Sequence, residues 1–444
     1  MPLESPARFT SGSDLVLRTA LTLWLSAVAV VCVRSLLFPK SHTVYLTFVT
    51  AGKDWCDGAP LYFRDRGAGY EIYRYSPPAT VLLTPLHLLP LGLGGALWRI
   101  FNAAVFVGGL RRWLRRGVRV SLNERQIGLH LLIAMPLALG SLNNGQPNLL
   151  VIGLLLIAVT ASAEARWWLA AGCITMATMV KAYPIAVGLL IAVSHVRPLA
   201  PRLLACVAVT ALLPFASQDS GYVADRYGEW FRALTADDRK FWPPPLMYRD
   251  LWLLIREFGL PITPDDYLVI QILTALGCAA LRWWLRHNPA QSLTAGLGLG
   301  TCWMMLCGPA TESSTYAMLG PALAYAVLIA RIEPWPVAVR WLPASSLSLF
   351  WLSATAGALP WAASIHALGI QPLGALVLSA AYVGWAWQGT VRETCRRSPK
   401  SPRLGLSVSR ARRPAADKIG APPNQDREPV LPCATSGRRS DQSR

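Results

Sequence analysis

Six short polar clusters interrupt an otherwise apolar chain, and each contains side chains that can do chemistry. In Lys53-Asp54-Trp55-Cys56-Asp57-Gly58-Ala59-Pro60-Leu61-Tyr62, a carboxylate held above an apolar segment can act as a general base on an acceptor hydroxyl. Asp54 and Asp57 suit that role, and they equally suit a solvated loop. In Tyr73-Arg74-Tyr75-Ser76-Pro77-Pro78, a guanidinium between two aromatics suits a phosphate or a sugar face, or else an interfacial anchor. Asn143, Asn144, Gln146 and Asn148 crowd into one short connection. Amides both donate and accept, which suits sugar hydroxyls; the same residues also cap and turn flanking helices. Lys181 precedes Ala182-Tyr183-Pro184, where an ammonium can face a phosphate or snorkel to the interface. Glu312 is the only charged residue between Arg286 and Arg331, and it is either a base or a helix N-terminal acid. Arg249, in Tyr248-Arg249-Asp250, offers either a phosphate contact or a local salt bridge.

Other chemistries lack their signatures. The sequence holds no Gly-rich phosphate loop, HExxH or GxSxG. Nine cysteines form no CxxC pair and no metal-ligand spacing, so neither structural disulfides, a metal site nor a cofactor is expected.

The elements that must position these residues are membrane-spanning helices. Of 444 residues, 53% are hydrophobic and only 15% charged, against about 25% charged in an ordinary soluble domain. Mean hydropathy is +0.37. That excludes a soluble enzyme and a disordered scaffold. The net charge of +18 is read as the positive-inside bias of a multi-pass protein, not as a nucleic-acid footprint. With about 20 apolar residues per span, twelve spans are expected: 15–38, 94–113, 126–142, 148–164, 167–182, 184–196, 201–217, 267–286, 292–309, 314–331, 341–358 and 373–391. The first is read as an uncleaved span.

The basic connection Arg111 to Arg125 belongs inside. If the N-terminus is also inside, the proline-broken segment from Pro77 to Gly94 should not span. The C-terminus then ends inside as well, and two long outer loops result, about 39–93 and 218–266, each expected to carry interfacial helices. The transmembrane domain covers 1–391. Residues 392–444, with 13 of the 42 basic residues, read as a disordered cytoplasmic tail. In this topology the polar clusters gather at the outer face, as a site would.

The order of these motifs resembles glycosyltransferase family 87. The resemblance rests on Gly58-Ala59-Pro60-Leu61-Tyr62, Arg74-Tyr75-Ser76-Pro77, the Pro85 to Pro90 segment, Trp98 to Asn102, Gly145-Gln146-Pro147-Asn148 and Lys181-Ala182-Tyr183-Pro184. It covers about 40–215 well and extends more loosely to 331. It implies an all-α, polytopic helical bundle of the GT-C type in the cytoplasmic membrane. The implied reaction moves a hexose or pentose from a polyprenyl-phosphate donor to a lipid-linked or cell-envelope glycan acceptor outside. Many members resemble Asp-x-x-x-Tyr at the start of the first outer loop; here Tyr45 follows Ser41-His42-Thr43-Val44, without an acid. Asp54, Asp57 and Glu312 therefore stand as candidate bases. Arg74, Lys181 and Arg249 are candidates for the phosphate side, and Tyr75, Asn143, Asn144, Gln146 and Asn148 for the sugar and acceptor. Membrane lipids are the surrounding partner, with no nucleic acid. A transporter or flippase of a lipid-linked or polar solute is the alternative. The polar clusters at one face and the lack of an internal repeat weigh against it.

Overall fold

The computed structural model describes residues 11–41, 43–63, 73–236, 239–359, 361 and 368–397. The tail from 398 onward and the segment 64–72 lie outside them. Every regular element among the described residues is helical.

The helices are α1 (Ser11–Leu37), α2 (Tyr45–Cys56), α3 (Pro77–Leu83), α4 (Leu91–Arg116), α5 (Glu124–Asn144), α6 (Asn148–Ala163), α7 (Trp167–Val180) and α8 (Ile185–Leu212). Then come α9 (Ser220–Ala236), α10 (Leu251–Glu257), α11 (Pro264–Trp284), α12 (Pro289–Cys307), α13 (Gly320–Ile332), α14 (Val337–Arg340), α15 (Leu342–Ala358) and α16 (Ile370–Arg397).

Among the described residues, seven helical stretches are long and apolar enough to cross a membrane: Asp14–Leu37, Leu91–Arg116, Glu124–Asn144, Ile185–Ala216, Pro264–His287, Ser313–Ile332 and Ile370–Gln388. The chain is thus a multi-pass membrane protein, with seven such stretches where twelve spans were expected. The expected spans 148–164, 167–182, 292–309 and 341–358 do form helices, but shorter or less apolar ones. At 1.5 Å per residue α6 and α7 reach only about 24 and 21 Å, against a hydrocarbon core of about 30 Å. The expected pair 184–196 and 201–217 falls in one element, α8, which is broken at His195 (φ −137°, ψ 40°) and followed by Pro198 and Pro201. A Cβ on Gly188 would lie 3.7 Å from Leu203 Cδ2. Those residues would stand about 22 Å apart on a straight helix, so α8 doubles back as two antiparallel arms.

The segment from Pro77 to Gly94 does not span. Pro77 and Pro78 open α3, and Pro85 opens a 3-10 turn at Thr84–Leu88. Pro90 precedes α4. Each proline lacks the N–H that a continuing helix would need.

α4 and α6 pack glycine to glycine. A Cβ on Gly109 would come within 2.5 Å of the Gly153 carbonyl, so only two small residues let these backbones meet. α5 begins with a reciprocal cap, Gln126 N to Asn123 Oδ1 and Asn123 N to Gln126 Oε1, both 2.9 Å. It ends where Gly145 takes φ +66°, a conformation that glycine enters without a side-chain clash.

The two long loops carry helices, as expected: α2 and α3 in the first, α9 and α10 in the second. α2 and α9 share an apolar cluster with Tyr62, Tyr73 and Trp98, separate from the main core of the spanning helices. Hydrogen bonds join them: Tyr222 Oη donates to Ala59 O at 2.8 Å, and Gln218 Nε2 to Trp55 O at 2.6 Å.

Candidate functional site

The loops at one end of the helices converge on a cleft of about 100 Å³ lined by Arg74, Tyr75, Gln146, Lys181, Tyr183 and Glu312, among others. Four separate connections supply these residues.

Arg74 and Tyr75 lie on the extended segment 73–76, and each side of that segment is fixed. Tyr62 Oη donates to Tyr75 O at 2.6 Å, Trp230 Nε1 to Arg74 O at 3.1 Å, and Ser76 Oγ to Met179 O at 2.6 Å. The Tyr75 ring meets Phe48 edge-on at 4.8 Å. Such an aromatic pair adds about 0.5–1.5 kcal/mol beyond its burial. The main chain carrying Arg74 is therefore set by both long loops at once.

Lys181 stands where α7 stops, in extended conformation (φ −141°, ψ 131°). Pro184 then starts α8. The Lys181 ammonium lies 5.7 Å from the Tyr183 ring centroid. The Tyr183 hydroxyl is buried without a hydrogen-bond partner among the described residues. Burial, reinforced by the Glu312 carboxylate, pushes this phenol well above its usual range. It stays protonated, as a donor lining the cleft.

Glu312 follows Ala310, which is held at φ +56°. That backbone costs a non-glycine residue about 1–2 kcal/mol and marks a strained turn at the cleft wall. The Glu312 carboxylate pairs with Arg74 Nη1 at 3.9 Å and accepts from Gln146 Nε2 at 3.1 Å. Gln146 has no freedom to turn its amide around. Its Oε1 accepts from Asn148 Nδ2 at 2.7 Å and from Ser314 Oγ at 2.8 Å, so its NH2 must face Glu312.

The amide connection thus divides. Gln146 turns to Glu312, and Asn148 holds it there, its Nδ2 also donating to Ser314 O at 3.0 Å. Asn143 and Asn144 turn the other way: Asn143 Oδ1 accepts from Arg34, its carbonyl accepts from Arg99 Nη2 at 2.8 Å, and Asn144 O accepts from Val44 N at 2.9 Å. Their hydrogen bonds tie the connection to α1, α4 and the start of the first loop.

Asp54 and Asp57 do not line the cleft. Asp57 is paired with Lys53 at 2.8 Å and largely exposed. Asp54 is buried on α2; burial pushes the phenol of Tyr222 on α9 up to about 12, with Arg226 opposing the rise and Asp54 adding to it. Arg249 is also turned away. Its Nη2 reaches Pro245 O at 3.4 Å, while its main chain joins Thr311 O at 2.7 Å and the Tyr316 hydroxyl at 2.8 Å. Burial lowers its guanidinium below the usual range. Arg249 therefore braces the Glu312 loop, and its neighbour Tyr248 is the residue that faces the cleft cation, 6.0 Å from Arg74.

Tyr183, Tyr248 and Arg99 were not among the expected site residues. Arg99 is 3% exposed and donates to Gly95 O at 3.0 Å, Thr43 Oγ1 at 3.1 Å and Ser35 Oγ at 3.2 Å, besides Asn143. Trp98 Nε1 adds a 2.7 Å bond to Gly145 O. A lone arginine inside an apolar span was the available signal, because burying one demands partners.

A second cavity is apolar, about 550 Å³, and lies between α8, α11 and α12, with Ala186, Leu189, Leu276, Gly300, Trp303 and Cys307 in its walls. Two of its wall residues are near cleft residues in the chain: Ala186 follows Tyr183 by three residues, and Cys307 precedes Pro309 by two. No group of three or more potential metal ligands occurs among the described residues.

The chain matches the family described as Glycosyltransferase family 87 over residues 73–309, more than half its length. It is also 25% identical over 343 residues to a Mycolicibacterium smegmatis (strain ATCC 700084 / mc(2)155) protein. That relative is described as a polyprenol-phosphate-mannose-dependent alpha-(1-2)-phosphatidylinositol pentamannoside mannosyltransferase, and the match covers 72% of this chain and 79% of the relative. The family match contains Arg74, Gln146, Asn148 and Lys181 and stops three residues short of Glu312.

Proposed function

The chain belongs to glycosyltransferase family 87, and on that premise we propose that it transfers a sugar from a polyprenyl-phosphate donor to a lipid-linked or cell-envelope glycan acceptor. The reaction is placed at the outer face of the cytoplasmic membrane, with both termini inside. The observation that carries this reading is the presence of two cavities of different character. One is a polar cleft with Arg74 and Lys181, and the other is an apolar groove. A polyprenyl-phosphate sugar has that same division, an anionic phosphodiester and sugar on an isoprenoid chain. The mycobacterial relative's dependence on polyprenol-phosphate-mannose supports mannose as the first sugar to test.

In the proposed step Glu312 takes the proton from the acceptor hydroxyl. The hydroxyl oxygen bonds to the anomeric carbon as the bond from that carbon to the phosphate oxygen breaks, with inversion. Charge grows on the departing phosphate, where Lys181, Arg74 and the Tyr183 hydroxyl stabilise it. Gln146, held by Asn148 and Ser314, keeps Glu312 in position. Tyr75 and Tyr248 offer faces to the sugar. Asp54 and Asp57 are the alternative bases, and their distance from the cleft ranks them behind Glu312.

The test is transfer by purified protein in lipid nanodiscs. Polyprenyl-phosphate mannose, glucose and arabinofuranose would be supplied in turn with an envelope-lipid acceptor pool. Transfer of one sugar is expected. Glu312→Gln should lower turnover at least 100-fold, and Lys181→Ala should raise the donor KM about tenfold, the loss of one charge-assisted hydrogen bond. Transfer that survives Glu312→Gln and disappears in Asp54→Asn would move the base to α2. No transfer from any donor by folded protein would reject the reading.

A further inference from the structure

At the opposite end of the helices, the connection from α13 to α15 encloses a second polar cavity. It measures about 280 Å³ and is lined by Val327, Arg331, Arg340, Trp341, Pro343 and Ala344. We propose that this cavity is a binding site for the phosphodiester headgroup of an anionic phospholipid in the leaflet on the basic side of the protein.

The first support is two cations gathered at one cavity. Several arginines on this side have carboxylate partners: Arg112 and Arg116 pair with Glu164, Arg115 with Glu124, and Arg119 with Glu333. Arg331 and Arg340 have no ion pair among the described residues. The one acid beside them in sequence, Glu333, is turned away, since it also accepts from Trp385 Nε1 at 2.8 Å. Two cations line one cavity with no anion supplied by these residues.

The second support is the rim. Val337 is 78% exposed and Trp341 60%, and Ile332 is exposed as well. An exposed tryptophan and aliphatic residues beside arginines form the amphipathic edge that inserts at headgroup depth. The start of α15, which also walls the cavity, adds the positive end of its helix dipole. A free phosphate ion would use the arginines but not this rim; a lipid uses both.

Native mass spectrometry of the full-length protein, incubated with phosphatidylglycerol and phosphatidylcholine of identical acyl chains, tests the proposal. The parent protein should retain phosphatidylglycerol at least fivefold over phosphatidylcholine. Arg331→Gln/Arg340→Gln should bring the two lipids to parity. The charge-matched control Arg125→Gln/Arg197→Gln should keep the preference, and an unchanged unfolding temperature should show that both variants are folded. A preference that persists in Arg331→Gln/Arg340→Gln, or falls equally in the control, would overturn the site. Displacement of the lipid by millimolar inorganic phosphate would overturn the lipid as the occupant.

Discussion

Gln146→Leu separates a positioning role for Gln146 from direct contact with the sugar. In the structure Gln146 Oε1 is fully used by Asn148 Nδ2 at 2.7 Å and Ser314 Oγ at 2.8 Å. Its Nε2 donates to Glu312 at 3.1 Å. A hydrogen bond to a charged group contributes about 1.5–3 kcal/mol, and each 1.4 kcal/mol in a barrier is about tenfold in rate. Losing the bond should therefore lower kcat by about 10- to 100-fold while the donor and acceptor KM move by less than about threefold. Initial rates in nanodiscs with a labelled donor give both constants. A double-mutant cycle completes the test, because coupled residues are non-additive. In a Glu312→Gln background the Gln146→Leu substitution should cost less than about threefold more. A further loss of tenfold or greater there, or a KM effect with unchanged kcat, would show that Gln146 acts on substrate directly. Leucine also strands Asn148 and Ser314, so the unfolding temperature must be measured alongside; a variant that fails to fold is replaced by Gln146→Met.

Other predictions test the scaffold and the groove. Ala275→Phe, which places a ring in the apolar groove between α8, α11 and α12, should raise the KM for a long-chain polyprenyl donor at least tenfold. It should leave a short-chain analogue unchanged; equal effects on both would remove the groove from donor binding. Gly145→Ala forces a side chain into φ +66° and brings its Cβ within 3.2 Å of Arg99 Nη2. Thermal unfolding in detergent should report a loss of about 1–2 kcal/mol. Asp250, which caps α10 through Leu253 N at 3.2 Å, is half-buried as a residue with its carboxyl enclosed. Burial raises the carboxyl from 3.8 to about 7. Folding then favours the protonated form, so this contribution is present below about pH 4 and is lost as pH rises through 7. Comparing unfolding temperatures at pH 5.5 and 8 should show a decline that is shallower in Asp250→Asn; an equal slope would refute the assignment.

The site was legible wherever chemistry conflicts with a membrane. Arg74, Lys181 and Glu312 stand out because charge beside apolar segments is costly, and the structure brings those three to one cleft. Legibility failed where the outcome depends on rotation about a helix end. Asn143, Asn144, Gln146 and Asn148 look alike in sequence. Gly145, at φ +66°, reverses the chain between the pairs, so Asn143 meets Arg34 and Arg99 while Gln146, held by Asn148, meets Glu312. The surroundings of Asp54 and Asp57 were hidden for a related reason. Asp54 is buried on α2 while Asp57, just past its end, is exposed beside Lys53, and the segment around α9, which meets α2 and its C-terminal turn through Tyr222 and Gln218, sets that difference. That contact is set some 160 residues away in the chain, beyond the reach of local patterning. The break in α8 was legible: the division into 184–196 and 201–217 falls at His195, Pro198 and Pro201, and the proximity of Gly188 to Leu203 shows the two arms side by side. The turn returns α8 to the level of the cleft, where Ser217 accepts from Trp55 Nε1 at 3.3 Å. It thereby delivers the second long loop to α2 and lets Trp230 of α9 hold the main chain of Arg74. The cation proposed to meet the donor phosphate is therefore positioned by a fold-back whose break is marked in the sequence, through a long-range contact with Trp230 that is not.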